Sequence, residues 1–210
     1  MRWFLDMNIV VYFCLELGHP LEEKTKLFVD KKENSKFLLC EYIQKENFPK
    51  WIKRQEEILK RFNLKISGQQ VKEDSIYLFN KDKIFLNRLI LMYENSKDKE
   101  QFKLNTNKTF SLMKIKTKLF FERYVDEIVI PISEIDFNLK SCLFTWLHPN
   151  DSDAKTIASA IQEHNKKELK IITADKKDWT EELLEEVHNH LDLKKKYPLL
   201  PKIQYLQNFS

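Results

Sequence analysis

The 210-residue chain carries 36 lysines and arginines against 32 aspartates and glutamates, a formal net charge of +4 that permits a nucleic-acid partner without demanding one. With 42% hydrophobic and 32% charged residues it has an ordinary soluble, globular composition, long enough for one good core or one core plus an appendage. Its two glycines exclude the glycine-rich phosphate loops, both the P-loop and the G-x-G-x-x-G turn.

Cys14, Cys40 and Cys142 lie in apolar surroundings without metal-ligand spacing, as expected of buried, reduced thiols. No apolar run approaches the roughly 20 residues of a membrane span. The N-terminus lacks the basic-then-apolar pattern of a secretory signal. The expected location is cytoplasmic.

Residues 2–5 predict a first strand, apolar on both faces as in a covered parallel sheet, and ending at Asp6. A helix follows from Asn8 to about Leu17. Asn8 itself is either the cap of that helix or a side chain that orients the water around a metal. Gly18-His19-Pro20 breaks the chain, and 21–33 predict an amphipathic helix with early acids and late lysines that complement its dipole. The strand 36–40 ends at Glu41. This β-α-α-β order implies a parallel sheet.

Residues 42–63 predict a helix broken near Pro49. Trp51, Ile52, Ile58, Leu59 and Phe62 share one face. Lys50, Lys53, Arg54, Lys60 and Arg61 cover much of the rest, either as a solvated surface or as the wall of a nucleic-acid groove. Residues 64–79 predict a connection that turns at Ser67-Gly68. In the helix 81–94, Ile84, Phe85, Leu89 and Met92 are expected to face a core. The apolar excess there suggests burial on two sides, against the main domain or against a second copy in a homodimer. Residues 95–108 predict a loop or frayed helix. Residues 109–125 are assigned to helix by their length, with Lys114, Lys116, Lys118 and Arg123 as candidate phosphate contacts. The whole is expected to be a single domain over 1–210, with a mostly helical insertion at about 64–125.

Residues 127–132 predict a strand, and 133–147 a helix or irregular segment. Then Ala154, Ile157, Ala158 and Ile161 fall at i, i+3, i+4 and i+7, one apolar helix face, opened by Asp151, Ser152 and Asp153. The strand 169–173 is closed by Ala174-Asp175. A helix over about 180–191, capped by Thr180, and a last strand at 203–206 complete the chain.

Three apolar runs thus end in an acid, Asp6, Glu41 and Asp175, while a fourth acid, Asp153, opens a helix. Carboxylates at the carboxyl ends of strands in an open α/β sheet lie in the crevice where such folds bind ligands. Four of them in one cleft repel each other unless a hard divalent cation, Mg²⁺ or Mn²⁺, neutralises them. Helix capping explains any one of these acids, but explains four in this order poorly. Asp151 and Asp178 are additional candidates, each with helix capping as its alternative.

The ordered set LDMN around Asp6, LLCEYI around Glu41, DSDAKTIASAI around Asp153 and IITADKKD around Asp175 resembles the PIN-domain ribonucleases, over about 1–47 and 126–207. That family has an Asp ending the first strand, a Glu opening a later helix, an Asp-Ala pair opening a helix of small residues, and an Asp in a Thr-x-Asp turn. The resemblance implies a PIN-like three-layer α/β/α fold with a central parallel sheet. It further implies a metal site of Asp6, Asp153 and Asp175, with Glu41 as a fourth catalytic acid. One or two Mg²⁺ or Mn²⁺ ions would serve hydrolysis of RNA phosphodiester bonds. RNA as substrate, and an antitoxin as protein partner, come from the resemblance alone.

Two other readings stay open. A haloacid-dehalogenase-like phosphohydrolase also uses a strand-end Asp, here Asp6, and a late Asp-x-x-Asp pair, here Asp175 and Asp178, with Mg²⁺. It wants an acid where this chain has Asn8, and it leaves Glu41 and Asp153-Ala154 unexplained. A non-catalytic PIN-like module would bind RNA or protein through the basic insertion.

Overall fold

The computed structural model describes residues 1–15, 18–70, 78–147 and 150–209. The chain divides into two compact units, one of Met1–Asn47 with Thr117–Ser210, the other of Phe48–Lys116.

The first unit is a mixed α/β structure whose central sheet is parallel throughout and flanked by helices, a three-layer α/β/α arrangement. Its strands are β1 (Arg2–Leu5), β2 (Lys36–Cys40), β3 (Glu127–Val129), β4 (Lys170–Thr173) and β5 (Lys202–Tyr205), in the order β3-β2-β1-β4-β5. β1 is central and all four of its residues are buried: Trp3, Phe4 and Leu5 are apolar, and Arg2 is paired with Glu163. It pairs with β2 through Trp3 opposite Phe37, and with β4 through Phe4 opposite Ile171.

The sheet runs outward from β1 in both directions, so the order reverses between β1 and β4. Such a switch point opens a crevice at the carboxyl ends of the two strands. Asp6 follows β1 and Asp175 follows β4, so both stand at this position.

Short connections then lead into helices. α1 is Met7–Cys14 and α2 is Pro20–Asp30. α1 was expected to reach Leu17, and its last two expected residues lie outside the described ones. α7 (Asp151–Lys166) buries Ala154, Ile157, Ala158, Ala160 and Ile161 completely. Its small residues let it lie close in the core, as the spacing predicts. The expected helix 180–191 is split into α8 (Glu181–His188) and α9 (Leu191–Lys196). The His188 ring meets the Tyr197 carbonyl at 2.9 Å, which fixes the corner. The expected strand 127–132 stops at Val129, because Ile130 takes a φ of 49° and Pro131 has no N–H to give a ladder. A 3-10 turn at Ile132–Glu134 and α6 (Phe137–Trp146) follow.

The second unit is helical: α3 (Phe48–Ile66), α4 (Asn80–Glu94) and the larger part of α5 (Lys99–Arg123). It begins at Phe48 and ends at Lys116, against the expected bounds of about 64 and 125. The reason is α3, which continues without a break from a π-helical turn at Ile43–Asn47 and carries Ile58 and Phe62 into the core of the helical unit. Pro49 follows directly on the π-helical turn and does not break the run. Leu78, Leu86, Leu89 and Phe110 complete that core.

Two expectations for this unit are corrected. Ile84 and Met92 do not face the core but are 70% and 44% exposed, because α4 presents the Leu86, Leu89, Ile90, Tyr93 stripe instead. Residues from Lys99 on are helix, not loop, because the Asp98 carboxylate accepts from the Gln101 N–H at 2.8 Å and caps α5 early.

Candidate metal centre

Each acid at the switch point is placed by its own element. Asp6 ends β1, and its backbone N–H donates to Ile172 of β4 at 3.0 Å. It precedes α1 but its side chain does not cap that helix. The buried Asp6 carboxylate instead accepts from the Thr173 hydroxyl at 2.7 Å and from the Asn8 amide. Burial, then the charges of Asp153 and Asp175, push this carboxyl up to about 8 against the opposing pull of the Thr173 bond.

Asn8 is not the cap of α1. Its amide reaches Thr173 Oγ1 at 3.3 Å, and its Oδ1 accepts from the Ala174 N–H at 3.0 Å. It therefore ties the start of α1 to the end of β4. Thr173 adds a second tie, since its Oγ1 accepts from the Asp175 N–H at 2.9 Å. The Asp175 Oδ1 accepts in turn from the Lys177 and Asp178 N–H groups at 2.8 and 3.0 Å, which shapes the loop after β4.

Asp153 lies in the first turn of α7. The cap of that helix is Asn150, whose side chain accepts from the Asp153 N–H at 3.3 Å and donates to its Oδ2. The first turn is also held by Asn47, which donates to the Ser152 hydroxyl at 2.8 Å. Asp178 does not cap α8, because Thr180 does so by accepting from Leu183 at 3.1 Å.

Asp153, Asp175 and Asp178 come together: each offers a carboxylate oxygen, and the three oxygens lie within 4.8 Å of one another. All three residues are half-buried. The group differs from the expected one in including Asp178, while Asp6 adjoins it through the electrostatic coupling to Asp153 and Asp175. Among the described residues the donor set is all carboxylate, which suits Mg²⁺ or Mn²⁺. A cation there would also relieve the repulsion that raises the Asp6 pKa.

Glu41 is engaged otherwise. It pairs with Lys45 and accepts from the Ile132 N–H at 2.9 Å. These two bonds hold it below the usual carboxylate range. The left-handed Ile130 just before Pro131 turns the chain so that the Ile132 N–H meets Glu41. Asp151 faces Lys155 at 2.7 Å and Lys140 at 3.5 Å. Burial opposes its ionisation, but the two lysines prevail and its pKa is lowered.

The expected phosphate contacts divide between the units. In the helical unit Lys53 is exposed, Arg54 lies over the Phe79 ring and 3.9 Å from Asp82, and Lys114 pairs with Glu56. In the sheet unit Lys118 lies 3.7 Å from Glu122 and Arg123 is exposed.

The side chains to which the sequence alone assigns no role are Thr173, present there only as the Thr of the Thr-x-Asp turn, and Asn150. Both are neutral and both orient an acid. The signal for Thr173 was its place two residues before Asp175 at the end of an apolar strand. For Asn150 it was a capping residue three before Asp153.

No protein-family model, no curated protein and no solved structure matches the chain. What the fold and site define is therefore a class: a parallel α/β protein with an aspartate trio at its switch point.

Proposed function

We propose that the protein is a divalent-metal-dependent nuclease of the PIN type that hydrolyses phosphodiester bonds of RNA. The observation that carries this reading is that like-charged acids gather at the switch point without serving as helix caps. The caps of α7 and α8 are Asn150 and Thr180, and the Asp6 side chain makes no cap hydrogen bond to α1, yet Asp6, Asp153, Asp175 and Asp178 crowd together at the switch point. Like charges gathered at a cost to stability point to a ligand that neutralises them.

In this reading Asp153, Asp175 and Asp178 hold Mg²⁺ or Mn²⁺, with Asp6 beside them. The bound cation supplies Lewis-acid stabilisation of charge on the phosphodiester. Asn8 and Thr173 fix the Asp6 carboxylate, and Asn150 fixes Asp153, so the donors are oriented before substrate arrives. Glu41, held by Lys45 and the Ile132 N–H, is left out of the metal set. RNA in preference to DNA, and an antitoxin or a second copy as partner, follow from the resemblance and from the exposed Ile84 and Met92; both belong to the proposal.

The phosphohydrolase alternative draws on the same Asp175–Asp178 pair. Against it, the second acid that family uses is replaced by Asn8, and the place of Asp153 in the trio is left unexplained. One screen separates the two. Protein supplied with Mn²⁺ is expected to cut single-stranded RNA, to leave a chromogenic phosphomonoester intact, and to lose cleavage in Asp153→Asn. Turnover of the monoester, lost in Asp6→Asn, would overturn the nuclease reading.

A further inference from the structure

Two basic residues outside those singled out from charge pattern flank Asp151. They are Lys140 on α6 and Lys155 on α7, whose ammonium groups lie 3.5 and 2.7 Å from opposite oxygens of Asp151. Both lysine side chains are about three-quarters covered, at 24% and 25% exposure, while the carboxylate between them is 45% exposed. Each ammonium also lies over an aromatic ring, Lys155 Nζ 4.7 Å from the Tyr42 centroid and Lys140 Nζ 5.3 Å from that of Phe137. Glu46 is a further acid near Lys155. The Phe137 ring is 73% exposed.

Two positioned ammoniums around one outward-facing carboxylate form an anion seat that the chain fills with its own side chain. Asp151 and Asp153 are two apart on one helix, so they point to different flanks of its first turn. The seat therefore lies across the start of α7 from the acid trio, not within it. A strand whose reacting phosphate meets the trio would carry its next phosphates past that turn.

We propose that Lys140 and Lys155 bind a backbone phosphate of single-stranded RNA adjacent to the one at the trio, and that Asp151 occupies their seat until RNA displaces it. The inference rests on the nuclease reading and names a substrate contact for it. The phosphate wins over Asp151 because it brings the binding energy of the whole strand, and Asp151 can then turn outward to water.

The test is fluorescence anisotropy with a short labelled oligouridine, with Ca²⁺ present to neutralise the acids. Lys140→Gln and Lys155→Gln are each expected to weaken binding about tenfold, and together to flatten the salt dependence of log Kd by about 0.7, the slope for one phosphate on a single strand. Asp151→Asn is expected to tighten binding several-fold. Either lysine variant suffices if the other fails to fold, as judged by circular dichroism. Binding that is unchanged in the lysine variants while the wild type binds and cleaves RNA would overturn this inference alone. A wild type that neither binds nor cleaves RNA would overturn both readings together.

Discussion

The Thr173 hydroxyl donates to the buried Asp6 carboxylate at 2.7 Å while accepting from the Asp175 N–H at 2.9 Å. One side chain at the end of β4 thereby couples the acid that ends β1 to the acid that follows β4. The pairing of β1 with β4 brings these residues into reach, and the hydroxyl sets their geometry.

Removing that hydroxyl therefore has a defined cost. Thr173→Val keeps the shape but leaves the buried Asp6 with one donor fewer, and is expected to lose about 1–3 kcal/mol in urea denaturation. Thr173→Ser keeps the donor and is expected to stay closer to wild type. Equal stability of Val and Ser variants would mean the bond contributes nothing.

The raised pKa of Asp6 makes stability depend on pH. The folded protein holds the Asp6 proton up to about 8, whereas the carboxyl starts from an ordinary value of 3.8. The folded state thus binds this proton more tightly than the unfolded chain. Its contribution is complete below the ordinary value and is lost as pH rises toward 8. In EDTA, the wild-type urea midpoint is expected to fall across that interval more than that of Asp6→Asn. Mn²⁺ at about a hundredfold its Kd is expected to restore about 2.7 kcal/mol. Parallel pH profiles for the two proteins would contradict the assignment.

Glu41 offers a contrast among the acids. Held by Lys45 and the Ile132 N–H, it is expected to matter little for the metal. Glu41→Gln should leave Mn²⁺ affinity within a few-fold of wild type in a calorimetric titration. A loss as large as that from Asp153→Asn would return Glu41 to the metal site.

Much of the sheet was legible from the sequence because its three inner strands, β2, β1 and β4, are short, mainly apolar runs followed closely by an acid. The α7 stripe of Ala154, Ile157, Ala158 and Ile161 is likewise a local pattern, and it is buried as its period demands. The errors arose where long-range packing or backbone geometry decides. Ile84 and Leu86 are equally apolar, and only the partner helices choose which of them turns inward. The end of α5 at Lys99 depends on one capping carboxylate, Asp98. The expected strand ran to residue 132, and the left-handed Ile130 that ends it and turns the Ile132 N–H toward Glu41 is invisible in a strand-like stretch of Ile and Val. Thr173 and Asn150 were hidden for another reason: orienting residues carry no charge, and their role exists only once the strands and helices meet.

The central claim is that the aspartates at the switch point hold a divalent metal. Its most direct test is calorimetric titration of metal-free protein with Mn²⁺, wild type beside Asp153→Asn and Asp175→Asn. Saturable binding in the wild type, weakened about a hundredfold or lost in both variants while their circular dichroism is unchanged, is the predicted result. Absence of binding in the wild type, or binding that survives both substitutions intact, would contradict it.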